Sequence, residues 1–132
     1  MSDDPIAIPH RPDPREAPAL FRRLGLAVHR QLFLAWPDGD DRPCACYAGA
    51  LLVEAAGGYA KAQGARSGSG STFDALVGLS GLPRDYAAGL AQGFSFGSYS
   101  VPGCAARDVP YRAGVADGHA AFLALREAGM VT

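Results

Sequence analysis

The sequence is short of aromatics, cysteine, lysine and any excess of charge. Aromatic residues make up 9% of the chain while hydrophobic residues make up 48%, so the apolar mass is mostly Ala, Leu and Val. A core of such small side chains predicts closely spaced helices. The formal net charge of −1 excludes a strong overall field towards nucleic acid or an anionic membrane. Three cysteines are an odd count and too few for a disulfide framework, which predicts free thiols and a reduced, cytoplasmic setting. No apolar run approaches the roughly 20 residues a bilayer-spanning helix needs, so no membrane association is expected. The acidic start, Met1-Ser2-Asp3-Asp4, is followed by no apolar stretch of the kind a secretory leader carries. Lys61 is the only lysine amid abundant Ala, Gly and Arg, a composition typical of GC-rich bacterial or phage genes. Also missing are the phosphate-cradling G-x-x-x-x-G-K-S/T, the zinc-binding H-E-x-x-H, the nucleophile elbow G-x-S-x-G and any carboxylate pair placed for acid–base work.

What the sequence does have is a near-repeat. Tyr86-Ala87-Ala88-Gly89-Leu90-Ala91-Gln92-Gly93 and Tyr111-Arg112-Ala113-Gly114-Val115-Ala116-Asp117-Gly118 both read Y-x-A-G-x-A-x-G. Glycines four apart share one face of a helix. Gly89 and Gly93, with Gly114 and Gly118, therefore predict two helices packed through bare backbone. At 132 residues a single domain is expected, large enough to bury a core without metal or disulfide staples.

Residues 1–17 hold four prolines, at Pro5, Pro9, Pro12 and Pro14, with Pro18 directly after. They predict an extended arm, followed by a single helical domain over residues 18–132. The first helix is expected from Pro18 to Ala35, on the spacing of Phe21, Leu24, Val28, Leu32 and Ala35. Trp36 to Pro43 reads as a turn-rich loop. A nearly uncharged helix, central and buried, is expected from Cys44 to Lys61, and a flexible linker from Ala65 to Ser71. Shorter helices follow, from Ser71 to Leu79 and from Pro83 to Gln92, then a loop from Phe94 to Arg107 and a last helix opening near Asp108 and Pro110 and closing at Gly129. No strand with period-two alternation is evident. The predicted class is all-α, a compact bundle of four to five helices.

Four groups of residues are candidates for chemistry or binding. Cys44, Cys46, Cys104 and His119 offer four ligands of zinc-binding type, though C-x-C is less typical of zinc than C-x-x-C. The plainer reading is small buried hydrophobes at the start of a packed helix, and no cofactor is expected. Cys44, placed in a predicted helix first turn, is a candidate nucleophile with a lowered thiol pKa. The segment from Val77 to Gly93 has the spacing of a helix-turn-helix, with Arg84 on the second helix; a nucleic-acid-binding regulator is the alternative it offers. Arg22, Arg23 and Arg30 form a cationic face on the first helix, to be read as a partner surface or a solvated one. Phe94, Phe96 and Tyr99 lie in a glycine-rich stretch, either exposed as a stacking platform or folded back on the core.

Cys46-Tyr47-Ala48-Gly49-Ala50-Leu51, then Gly81-Leu82-Pro83-Arg84-Asp85-Tyr86 with Gly93-Phe94, then Tyr111-x-x-Gly114-x-x-Asp117-Gly118 resemble small helical proteins of unknown function from bacteria and phages. Those carry a C-x-x-G-A-L helix and a later Y-x-x-G-x-x-D-G helix. A fainter similarity, through Pro110-Tyr111 and the glycine-spaced helices, is to ribosome modulation factor, which implies ribosome binding; this chain departs from it in being acidic overall, longer and poor in basic residues near the motif. The resemblance implies no catalytic residue and no ligand. The strong patterns are packing patterns, and the expectation is a non-enzymatic interaction or accessory protein, of phage or mobile-element type, with a protein partner or a second copy of itself.

Overall fold

The computed structural model describes residues 8, 10–69, 72–96 and 109–131. These form six α-helices, one 3-10 turn and a small three-stranded sheet. The fold is mostly helical, as its small side chains predict, but not purely so.

Asp13 opens the first helical turn. Its carboxylate accepts the backbone N–H of Arg15 at 3.0 Å and caps the 3-10 turn Pro14–Glu16, which has proline in its first position. Helix α1 follows directly over Ala17–Leu24 and buries Ala17, Leu20 and Phe21. The sequence pattern carries this helix on to Ala35, and the structure does not. Gly25 takes the left-handed conformation, φ 69°; its N–H reaches the Arg22 carbonyl at 3.2 Å, and the Leu26 N–H reaches that of Phe21 at 3.0 Å. This paired closure ends a helix where an apolar residue after the glycine can fold back, and Leu26 is buried.

Beyond Leu26 the chain is extended. Strand β1 (Ala27–Val28) pairs parallel with β3 (Cys44–Ala45), and β2 (Leu34–Ala35) pairs antiparallel with it, giving the order β1-β3-β2. Strands of two residues are too short to show alternation in sequence. Helix α2 then spans Tyr47–Ala56 rather than Cys44–Lys61, and every residue from Tyr47 to Val53 is buried. A Cβ on its Gly49 would overlap the Phe33 carbonyl, so this glycine lets the strand connection run against the helix.

Gly57 and Gly58, at φ 91° and 147°, break the predicted long helix in two, and α3 continues over Tyr59–Ser69. The stretch from Ala65, expected to be a linker, is helical through Ser69. Arg66 supplies a reason: its guanidinium donates to the Leu34 carbonyl at 2.7 Å and to Gln63 Oε1 at 3.1 Å, and it lies 5.5 Å from the centre of the Phe33 ring. These contacts offset the roughly 1 kcal/mol that a helical glycine costs. Helix α4 (Thr72–Ser80), a turn at Gly81 and α5 (Arg84–Phe96) come next. Helix α5 outruns its expected end at Gln92 and takes in Phe94 to Phe96 from the predicted loop.

The last helix, α6, covers Val109–Glu127 and lies along α5. A Cβ on Gly89 would come within 2.8 Å of Val115 N, and one on Gly93 within 3.0 Å of His119 N. Advancing along α5 therefore advances along α6, and the two helices run parallel. The contacts are reciprocal. Gly89 faces the Tyr111 carbonyl as Gly114 faces that of Tyr86, and Gly93 faces the Val115 carbonyl as Gly118 faces that of Leu90. The two copies of the repeat are thus related by a local two-fold relation, with Gly89 and Gly114 facing each other. Next to them Phe94 packs between Tyr47 and Phe122, with ring centres 6.2 Å and 6.1 Å away.

Gly118→Ala should lower unfolding free energy by about 3 kcal/mol, because the added methyl meets backbone that cannot rotate aside. Gly64→Ala, in the interior of α3 with open space around the position, should raise it by about 0.5–1 kcal/mol. Urea unfolding of the two variants beside the parent measures both; equal effects would contradict the close contact.

Candidate functional site

Among the described residues Asp117 is the one charged side chain that is buried. It stands on α6 directly before Gly118, on the side where Tyr86 enters from the first turn of α5. Burying a carboxylate is costly unless it is paired and hydrogen-bonded. Three donors meet that need. Arg11 presents its fork, with Nε 2.8 Å from Oδ2 and Nη2 3.1 Å from Oδ1, and the Tyr86 hydroxyl donates a short bond to Oδ2. The guanidinium also lies 6.0 Å from the centre of the Tyr86 ring.

The electrostatics follow from that geometry. The hydrogen bond to Asp117 raises the pKa of the Arg11 guanidinium further, so it stays charged. Burial raises the Tyr86 phenol far above its ordinary value, and its bond to Asp117 and the carboxylate charge add to this. Burial also pushes up the neighbouring Tyr47 phenol, with Asp117 the next cause. The cluster therefore joins the Asp117 carboxylate to a guanidinium fork and a phenol hydroxyl.

Arg11 belongs to a short non-repetitive segment. His10 sits at φ 60°, a left-handed conformation, with its ring against Gly81. A groove of about 530 Å³ is lined by His10, Pro12, Leu51, Glu54, Leu79 and Leu82. A smaller one of about 130 Å³ reaches Tyr47 and shares Pro12, Leu51 and Glu54 with the first.

The candidates read from sequence are dispersed. Cys44 lies on β3, not in a helix first turn, and burial pushes its thiol up, with the Asp40 carboxylate adding to the shift. The expectation of an activated thiolate at Cys44 is therefore reversed. Cys46 is the residue that precedes α2, where backbone N–H groups favour a thiolate, but its burial is the larger influence and raises the pKa. His119 is on α6 with Nδ1 buried and without a hydrogen-bond partner among the described residues, and Cys104 falls outside them. Among the described residues no group of three or more His, Cys, Asp or Glu side chains is placed to hold a metal.

The predicted cationic face is not continuous. Arg22 is exposed and Arg23 pairs with Glu54, both on α1. Arg30 lies beyond the end of that helix, over the Phe122 ring at 4.1 Å. Arg84 pairs with Asp74 across the α4–α5 turn. The two helices do have a helix-turn-helix order, but Tyr86, Ala87, Gly89, Leu90, Gly93 and Phe94 of α5 are buried, so most of the would-be reading helix faces protein. Phe94 belongs to the core and is not a stacking platform, Phe96 is exposed, and Tyr99 lies outside the described residues.

Sequence reading passed over Asp117 and Arg11. Asp117 did carry a signal, since it stands three residues after Gly114 and one before Gly118, in the midst of a packing face. Arg11 carried none, being one arginine in a proline-rich arm. No protein-family model, no curated protein and no solved structure matches this chain.

Stability should hold from neutral pH to about pH 8 and fall beyond it. Thiols and phenols whose pKa is raised in the folded state lose their protons first in the unfolded chain, so rising pH favours unfolding. Tyr86→Phe should flatten part of that fall, at a cost of about 1–3 kcal/mol at neutral pH for the lost bond to Asp117; denaturant titrations between pH 7 and 11 measure both. Mapped alkylation at pH 7 should find Cys46 modified at least about tenfold more slowly than a free thiol; a fast Cys46 would contradict the burial argument.

Proposed function

We propose that the protein is a small non-enzymatic interaction protein that binds a protein partner, a second copy of itself included, and that Trp36 is an anchor of the contact. Trp36 is 50% exposed yet firmly held. Its indole N–H donates to the Asp40 carbonyl at 3.0 Å, and its ring meets Tyr59 edge-on, with centres 5.4 Å apart. A large ring fixed before binding loses little entropy when it is covered, which is why tryptophan dominates the energetics of many interfaces. This pre-set, half-exposed ring is the observation that carries the reading. Leu79 and Phe96, at 48% and 62% exposure, add apolar surface elsewhere.

The alternative of a nucleic-acid-binding regulator has less to support it. Of the four arginines it would use, Arg23 and Arg84 are paired with carboxylates and Arg30 lies on an aromatic ring. No helix among the described residues is long and apolar enough to cross a membrane.

Trp36 is the only tryptophan in the chain, so its emission reports on its own surroundings. Self-association should appear in native mass spectrometry as a dimer that grows with concentration, accompanied by a blue shift of the emission. Trp36→Ala should weaken the assembly at least about tenfold, the scale of a hot-spot truncation, with helical content unchanged. A protein that stays a bare monomer with constant emission through the high micromolar range would remove self-association from the proposal.

A further inference from the structure

We propose that the pocket formed by Asp117 and Tyr86 is a receptor for an arginyl side chain on an extended segment, and that Arg11 fills it in cis. The proposal goes beyond the Trp36 contact and does not rest on it.

The pocket has the form of a binding site. Its carboxylate belongs to a side chain that is 10% exposed, and the Arg11 side chain that covers it is 42% exposed. The fork-to-carboxylate geometry, two nearly parallel N–H···O bonds, is the arrangement that separates guanidinium from ammonium. The Tyr86 hydroxyl takes a further lone pair of Oδ2 and leaves the fork positions to the cation. Asp117 and Tyr86 sit on two helices locked together by backbone contact, so the receptor is rigid whatever occupies it.

The occupant is of a different kind. It comes from far away in sequence and from a segment that is neither helix nor strand. The backbone bond from Arg11 N to the Ile8 carbonyl is long, at 3.4 Å. His10 is the one non-glycine among the described residues with positive φ, a conformation disfavoured for any residue with a Cβ. An arginine delivered by another chain need not share that strain. Both grooves are lined in part by Pro12, so open space borders the segment that carries Arg11. Arg11 thus acts as a built-in competitor, and the chemistry of the external ligand is that of an arginine within an extended, proline-flanked peptide.

Chemical rescue of the full-length Arg11→Ala variant tests this. The variant should melt below the parent. Nα-acetyl-arginine amide should restore its melting temperature in a saturable way, by about 4 °C once the ligand stands tenfold above its dissociation constant. The lysine analogue should give little, and neither compound should shift the parent or the Arg11→Ala/Asp117→Asn double variant. A peptide of sequence Ile-Pro-His-Arg-Pro-Asp should bind Arg11→Ala at least tenfold more tightly than the single amino acid. If Arg11→Ala does not fold, Arg11→Lys, which keeps the charge but loses the fork, takes its place in the same titrations. No saturable shift in a folded variant, or equal shifts from the arginine and lysine compounds, would overturn the receptor. A peptide no tighter than the amino acid would overturn the extended-segment ligand.

Discussion

The backbone-to-backbone contact of α5 and α6 is the constraint on which the rest of the structure depends. Four glycines bring two parallel helices so close that an added Cβ would overlap the neighbouring main chain. Parallel neighbours cannot be joined by a tight turn. Each repeat supplies the same residues to the contact, so the pair carries its own two-fold relation within one chain. The two copies differ at three of their positions, Ala87 against Arg112, Leu90 against Val115 and Gln92 against Asp117, and the last of these puts a carboxylate in the second copy alone. The carboxylate therefore occurs once, facing the tyrosine of the other copy, and the close approach of the helices buries it. The site is a consequence of the packing.

A buried carboxylate in turn demands donors, and Arg11 links the N-terminal segment to the body by meeting that demand. The same donors that satisfy Asp117 define what it can hold, since a planar acceptor at the base of a rigid notch suits a planar cation. Structural role and recognition are not alternatives here; the same two bonds serve the first and specify the second. The half-exposed Trp36 is a separate device, fixed by Tyr59 and the Asp40 carbonyl.

The first helix shows where a sequence pattern misleads. Phe21, Leu24, Val28, Leu32 and Ala35 keep helical spacing, but the chain turns into extended structure at Gly25 because Leu26 can be buried there and the strand partners lie near Cys44. Periodicity registers which residues are apolar; it does not register that a left-handed glycine gives them another way to reach the core. The reverse holds for α3. Its Gly/Ser-rich end has weak helix propensity, and the distant contacts of Arg66 with Leu34 and Phe33 keep it helical. The thiols follow the same logic. Cys44 moved from a helix start to a strand, and burial then set the state of both cysteines.

The sequence by itself determined the elements whose cause is local or repeated. These are the glycine faces of α5 and α6, the buried character of the helix beginning at Tyr47, the proline openings of helices and the glycine that ends the last one. Each rests on spacing within one helical turn or on the conformation a single residue can adopt. The tertiary structure alone decided the small sheet, the parallel direction of α5 and α6, and the union of Arg11, Tyr86 and Asp117. The energies there arise between residues far apart in the chain, and no local propensity encodes which distant partner will satisfy a buried charge.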